Sequence, residues 1–250
     1  LDQESQFKKN KIFQALSQKK YPLVCIQRSK GYSSRKSISI SDIKDICLFI
    51  KETSPDTIIF VDNCYGEFVE TKEPIEVGAD IIAGSLIKNP GGGLALRGGY
   101  IAGKEEYVTR SSYRLTAPGI HEDVTSALDF NRTAFQGLFI APLIVEQALK
   151  GAVFSSNLFT KLGYQTAPAP GELRTDIVQG IILKDPELLK EFCNAIQNSC
   201  PLDSFVRPTA SQLPGYDDAV IMAGGTFIQG SSIELSVDGP MRDPYTAYLQ

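Results

Sequence analysis

An α/β fold with a mainly parallel sheet is the architecture this sequence predicts. Short apolar runs rich in β-branched residues alternate with amphipathic segments, which is the pattern of strands joined by crossover helices. The length, 250 residues, exceeds that of most compact domains and suits a large α/β domain at about 1–150 followed by a smaller α/β domain at 151–250.

The elements follow in order. Residues 1–20 contain no glycine and read as one amphipathic helix, with Phe7, Ile12, Phe13 and Leu16 on its apolar side. Leu23-Val24-Cys25-Ile26 is a short buried strand, and the polar stretch 27–39 is the loop leaving it. A helix follows, capped by Ser41 or Asp42, with Ile43, Ile46, Cys47, Phe49 and Ile50 at helical spacing; Pro55 closes the unit. Thr57-Ile58-Ile59-Phe60-Val61 is the strongest strand, apolar throughout as in a central parallel strand covered on both faces. Residues 80–84 and 99–102 are two further strands, with the glycine-rich stretch 88–93 between them. Residues 137–162 are expected to be mostly helical and to join the two domains. In the smaller domain, strands at 177–183 and 219–222 surround a helix that starts at Pro186 after Asp185 and runs to Asn198. Ala167-Pro168-Ala169-Pro170 reads as a stiff, exposed connection.

Charge and composition narrow the function. With 25 Lys+Arg against 29 Asp+Glu the net charge is −4, and no basic cluster interleaves with aromatics, so nucleic acid is not expected as a partner. The apolar stretch 137–149 is interrupted by Pro142 and Glu146 and falls short of the ~20 residues of a membrane span, so no membrane is expected either. Five cysteines form no CxxC pair and read as reduced thiols of a cytoplasmic protein. The start, Leu1-Asp2-Gln3-Glu4, is no signal peptide and lacks an initiator Met. The single histidine, His121, excludes a multi-histidine metal site and reads as a cap or surface residue.

Ligands in open α/β sheets sit at the carboxyl ends of strands, which draws attention to Asp62, directly after the strongest strand, and to Lys88, which follows the strand at 80–84. Alone, Asp62 reads equally as a turn former and Lys88 as a surface lysine before a turn. Together, 26 residues apart and each beyond a strand end, they match what pyridoxal phosphate needs: a lysine for the imine and an acid for the ring nitrogen. The Ser85 hydroxyl, three residues before Lys88, can donate to a phosphate; its plain reading is a strand-end hydroxyl satisfied by the backbone.

The motifs Val61-Asp62-Asn63-Cys64-Tyr65-Gly66-Glu67-Phe68, Ala83-Gly84-Ser85-Leu86-Ile87-Lys88-Asn89-Pro90-Gly91-Gly92-Gly93 and Gly98-Gly99-Tyr100-Ile101-Ala102-Gly103 resemble the cystathionine beta-lyase/methionine gamma-lyase-related family known as aluminium resistance proteins. The likeness continues through Tyr113-Arg114-Leu115-Thr116-Ala117-Pro118-Gly119, Phe135-Gln136-Gly137-Leu138-Phe139 and Gly225-Thr226-Phe227-Ile228-Gln229-Gly230. It implies fold type I of the pyridoxal phosphate enzymes, with Lys88 carrying the internal aldimine, Asp62 facing the pyridinium nitrogen and Ser85 near the phosphate. It further implies a homodimer or homotetramer acting on a sulfur-containing amino acid of the cystathionine, cysteine or methionine class. The general base is then Lys88, with Tyr65 or Tyr113 as possible helpers.

A substrate carboxylate calls for an arginine, and Arg207 and Arg242 are the candidates in loop positions, with Arg35 and Arg114 behind them. The sequence departs from the family in three places. The stretch Ile233-Glu234-Leu235-Ser236-Val237-Asp238-Gly239 stands where well-defined lyases have an Arg-x-Ser-x-Gly strand, and Ile87 stands where they have a hydroxyl residue. The glycine-rich phosphate turn and stacking aromatic found early in family members have no counterpart, so the large domain is expected to be incomplete at its N-terminus. The alternative to a lyase is a non-catalytic or fragmentary cofactor-binding or interaction protein that keeps the fold.

Overall fold

The computed structural model describes residues 9–115, 120, 130–227 and 231–250. His121 and parts of two family-like motifs lie outside them. The first helix, α1 (Lys9–Gln18), leads into β1 (Leu23–Gln27), α2 (Ile40–Thr53) and β2 (Ile58–Asp62), a parallel crossover unit in which Cys25 pairs with Phe60 and Gln27 with Asp62. β3 (Ile81–Ser85) adds in parallel beside β2, and β4 (Gly99–Gly103) closes the edge in the order β1-β2-β3-β4. β4 runs antiparallel to β3 at the edge of the otherwise parallel sheet, because the 13-residue connection 86–98 folds back as a loop instead of crossing the sheet.

Ile43, Ile46, Cys47 and Ile50 of α2 pack on Ile26, Ile59, Val61 and Ile82, all buried. The cap of α2 is Ser39, two residues earlier than expected. Its hydroxyl accepts from the Asp42 amide while Asp42 accepts from the Ser39 amide, which satisfies two otherwise unpaired donors. β2 is buried on the α2 face only: Ile59 and Val61 are inaccessible, whereas Ile58, Phe60 and Asp62 on the other face are half-buried. The apolar run therefore overstates the cover on that side.

After α3 (Glu105–Ser112) comes α4 (Phe130–Lys161), 32 residues that run through Pro142 without a break. Packing of Ala141 and Val145 on either side of the proline holds the helix through the interruption, and by length and composition alone α4 could cross a membrane, contrary to the reading of 137–149 as too short. Gly137, Ala141, Val145, Ala152 and Ser156 form its buried stripe, while Phe135, Phe139, Leu143 and Phe154 are exposed. Position 150, the expected domain boundary, falls inside this helix.

A second sheet, antiparallel throughout, follows in the order β5-β6-β9-β8-β7, from β5 (Gln165–Ala167), β6 (Gln179–Ile182), β7 (Val220–Gly224), β8 (Ser236–Pro240) and β9 (Thr246–Leu249). Helix α5 (Pro186–Asn198), capped by Asp185 as expected, covers one face, with Leu189 and Cys193 against Ile181, Ile221, Val237 and Ala247. The stretch Ala167-Pro168-Ala169-Pro170, expected to be a stiff, exposed connection, begins as the last residue of edge strand β5 and is half-buried over 167–169.

The turn after β3 is clamped by backbone on both sides. A Cβ on Gly91 would lie 1.6 Å from the Leu86 carbonyl oxygen, and one on Gly137 of α4 would lie 2.0 Å from the Gly91 oxygen. Neither backbone oxygen can yield as a side chain would. Gly137→Ala is therefore expected to destabilise the protein by about 2 kcal/mol, whereas Gly151→Ala in the same helix, where nothing lies within 4 Å, is expected to stabilise it by up to about 1 kcal/mol. Urea denaturation of the two variants tests the contrast; equal effects would contradict the clamp.

Candidate functional site

β2 ends at Asp62, and the chain then turns sharply. Gly66 N–H donates to the Asn63 carbonyl at 3.0 Å, and Tyr65 adopts a left-handed conformation with φ 70°. A tyrosine there costs about 1–2 kcal/mol, and its neighbours hold it: the Tyr65 carbonyl accepts from Ile177 N–H at 3.1 Å. The strained residue turns its ring under Lys88, whose Nζ sits 4.4 Å from the ring centroid. Among the described residues no carboxylate pairs with the Lys88 amine and no hydrogen-bond acceptor meets it. Lys88 itself begins the clamped 3-10 turn Asn89–Gly91, and the buried Asn89 side chain ties that turn to the Glu67 carbonyl at 3.0 Å.

Asp62 and Lys88 face one cavity of about 210 Å³, in company with Cys64, Tyr65, Tyr32, Asp238 and Gln250. The structure thus brings the two sequence-derived candidates together. Asp62 Oδ1 accepts the Cys64 amide at 3.2 Å and the Cys64 thiol also bonds the carboxylate, but among the described residues no cation pairs with it, which leaves carboxylate valence for a ligand. Burial pushes the Cys64 thiol up to about 11, so at neutral pH it is no rival nucleophile to the amine. Ser85 is the strand-end hydroxyl of the plain reading: its Oγ accepts from Ile87 N–H at 3.4 Å, and it lines neither cavity that Lys88 lines.

The arginines separate. Arg242 donates to Asp218 at 3.0 Å and to the Tyr32 carbonyl at 2.7 Å, and lines a neighbouring cavity of about 290 Å³ that shares Tyr32 and Tyr248 with the first. Arg207 is exposed, held by Asn198 at 2.5 Å, and faces none of these cavities. Arg35 donates to the carbonyls of Lys36, Gln27 and Ser29. Arg114 and Tyr113 lie in the turn after α3 and line neither cavity that Lys88 lines.

Two site residues escaped the sequence reading. Tyr32 follows Gly31 in the loop leaving β1, a strand-end position that the same rule used for Asp62 would have flagged. Asp238 lies on β8, whose alternation is hidden by Gly239 and Pro240. Its Oδ2 accepts from Tyr32 Oη at 3.0 Å and from Gln250 Nε2 at 2.9 Å, and burial raises its pKa above the usual carboxylate range.

Behind the site, the fully buried Arg28 guanidinium donates to Asn63 at 2.8 Å, Glu70 at 2.8 Å and Glu73 at 3.4 Å, pinning the turn that follows Asp62. Beside it, Glu67 Oε1 accepts from Tyr100 Oη at 2.8 Å, and Oε2 has no partner among the described residues.

A model of the methionine gamma-lyase family matches residues 1–250, the whole of the chain. The chain belongs to the methionine gamma-lyase family. Protein YnbB of Bacillus subtilis is 52% identical over 231 residues, which are 92% of this chain and 55% of YnbB. The crystal structure of a carbon-sulfur lyase involved in aluminum resistance from Clostridium novyi superposes with a TM-score of 0.91 at 48% identity, covering 100% of this chain and 58% of that protein. The chain therefore spans little more than half the length of these relatives. Cystathionine gamma synthase from Xanthomonas oryzae, at 16% identity and a TM-score of 0.61 over 96% of this chain and 61% of the synthase, shares the α/β fold.

Burial pushes the Glu67 carboxyl up to about 7. A group that binds its proton more tightly when folded gives its full stabilisation below its unfolded pKa, and loses it as pH rises through the folded value. Glu67 thus lowers stability between about pH 4.5 and pH 8, by about 3 kcal/mol. Glu67→Gln, a mimic of the neutral form, is expected to flatten this slope in urea denaturation at pH 5 to 8; an unchanged slope would place the loss elsewhere.

Proposed function

We infer that this protein is a pyridoxal phosphate-dependent carbon-sulfur lyase acting on a sulfur-containing amino acid of the cystathionine, cysteine or methionine class. The observation that carries the reading is the unpaired Lys88 amine facing the same cavity as the Asp62 carboxylate. A lysine amine not tied up in an ion pair can condense with an aldehyde, and an acid at the end of a parallel strand suits a protonated ring nitrogen. The residues fit the cofactor: Lys88 would hold its aldehyde carbon, Asp62 its ring nitrogen, and the Tyr65 ring lies beneath the amine. The strands and turns that supply these residues belong to the cofactor-binding part, placed at 1–150, with 151–250 contributing Asp238 and Gln250 from the second sheet. The name of the Clostridium novyi relative supports the reaction class.

Pyridoxal phosphate, when bound, supplies an aldehyde for the substrate amine and a ring that takes up electron density from the adjacent carbon. Asp62 keeps a proton on the ring nitrogen through its uncommitted carboxylate oxygen. Lys88 Nζ removes the proton from the substrate α-carbon and, from the same position over Tyr65, can return one to the product. The clamp at Gly91 and Gly137 fixes that position. Departure of a sulfur group from the β or γ carbon completes the lyase reaction.

Reduction with borohydride in the presence of pyridoxal phosphate, followed by peptide mapping, is expected to label Lys88 and to leave Lys88→Ala unlabelled at that peptide. Asp62→Asn is expected to keep the label while keto-acid release from cystathionine, cysteine or methionine falls at least about 100-fold. Label absent from Lys88 would overturn the reading.

A further inference from the structure

β8 carries Asp238 in the interior of the second sheet, between Met222 of β7 and Tyr248 of β9. Its neighbours Val237 and Gly239 turn inward: Val237 is fully buried in the core under α5, and a Cβ on Gly239 would press on Leu189. Strand alternation then sends Asp238 to the opposite face. On that face two cavities meet, the one shared with Asp62 and a second of about 340 Å³ lined by Ile87, Met222, Thr226 and Ser231, and both are lined by Lys88 and by Asp238. Tyr32 and Gln250 both donate to Oδ2. Among the described residues Oδ1 has no hydrogen-bond partner, and it is absent from the polar atoms sealed away from water. A rigidly held carboxylate therefore presents one open oxygen to the cavities that Lys88 also lines.

We propose that Asp238 is a catalytic residue that takes a proton from the ammonium group of the incoming amino acid. The proposal rests on the reading of Lys88 as the cofactor lysine. Amino acids arrive as ammonium ions, which have no lone pair for attack on an imine carbon. Oδ1 accepts one N–H proton, giving a neutral amine and a neutral carboxyl; no electrons are exchanged, and the proton passes to the departing amine or to solvent. Burial favours the neutral carboxyl, which suits it to hold a proton, while the donors Tyr32 and Gln250 and the Lys88 cation oppose that shift. The titratable groups around Asp238 are Tyr32 and Tyr65 from the loops after β1 and β2, Lys88 from the turn after β3 and Tyr248 beside it on β9, while Cys193 of α5 lies through the sheet on the core face. Asp62, Cys64 and Tyr216 line the same cavity.

Two measurements test the assignment. In the cofactor-free protein, a carboxyl carbon NMR titration with the signal assigned by Asp238→Asn is expected to show Asp238 titrating above ordinary aspartates, and moving higher still in Lys88→Ala, where the opposing cation is gone. In the enzyme with pyridoxal phosphate on Lys88, Asp238→Asn is expected to lower kcat/KM about 100-fold at neutral pH. Its kcat/KM is also expected to climb tenfold per pH unit toward the pKa of the substrate ammonium, where the wild type is level. An Asp238 signal indifferent to Lys88→Ala, or a variant with the wild-type pH profile, would overturn the assignment while leaving Lys88 labelling intact. Failure of the labelling would instead strike the cofactor reading.

Discussion

Everything at the site hangs on a contact between two stretches of backbone. Gly91 and Gly137 approach so closely that neither position has room for a methyl group, and Gly91 is equally tight against Leu86. The turn that begins at Lys88 is thus fixed to both the end of β3 and the middle of α4. Because α4 also packs on β5 and β6, the same contact sets how the first sheet faces the second. The lysine is held by its own turn and by glycines several residues away, and among the described residues its amine makes no hydrogen bond.

That economy explains the chemistry assigned to it. A lysine in an ion pair must be released before its nitrogen can react, whereas Lys88 rests on the face of Tyr65 and stays available. The cost appears elsewhere, in the left-handed backbone of Tyr65 and in the buried guanidinium of Arg28, which with its half-buried partners Glu70 and Glu73 keeps the turn after β2 in place. Buried ion pairs add little net stability and fix geometry well, and here they fix the residue that follows Asp62. The second sheet completes the cavity with Asp238 and Gln250, so residues more than 150 positions apart in sequence share one small volume.

Much of the first sheet was legible because its strands are short apolar runs at spacings set by one helix. Asp62 and Lys88 were legible for a related reason, since strand ends in such sheets are where ligands bind. The second sheet was mostly hidden. β8 and β9 carry Gly239, Pro240 and Thr246, which blur alternation, and their pairing is with distant strands, a contact that no local pattern encodes. Asp238 was hidden with its strand. The antiparallel turn of β4 and the continuity of α4 through Pro142 were settled by tertiary packing over local preference.

On the proposed function, Lys88 and Asp62 grip opposite ends of one cofactor ring. A crystal structure of the protein grown with pyridoxal phosphate tests it most directly. The expected result is electron density continuous with Lys88 Nζ, and a ring nitrogen within hydrogen-bonding distance of the Asp62 carboxylate. Cofactor density attached to another lysine, or a ring nitrogen remote from Asp62, would contradict the account.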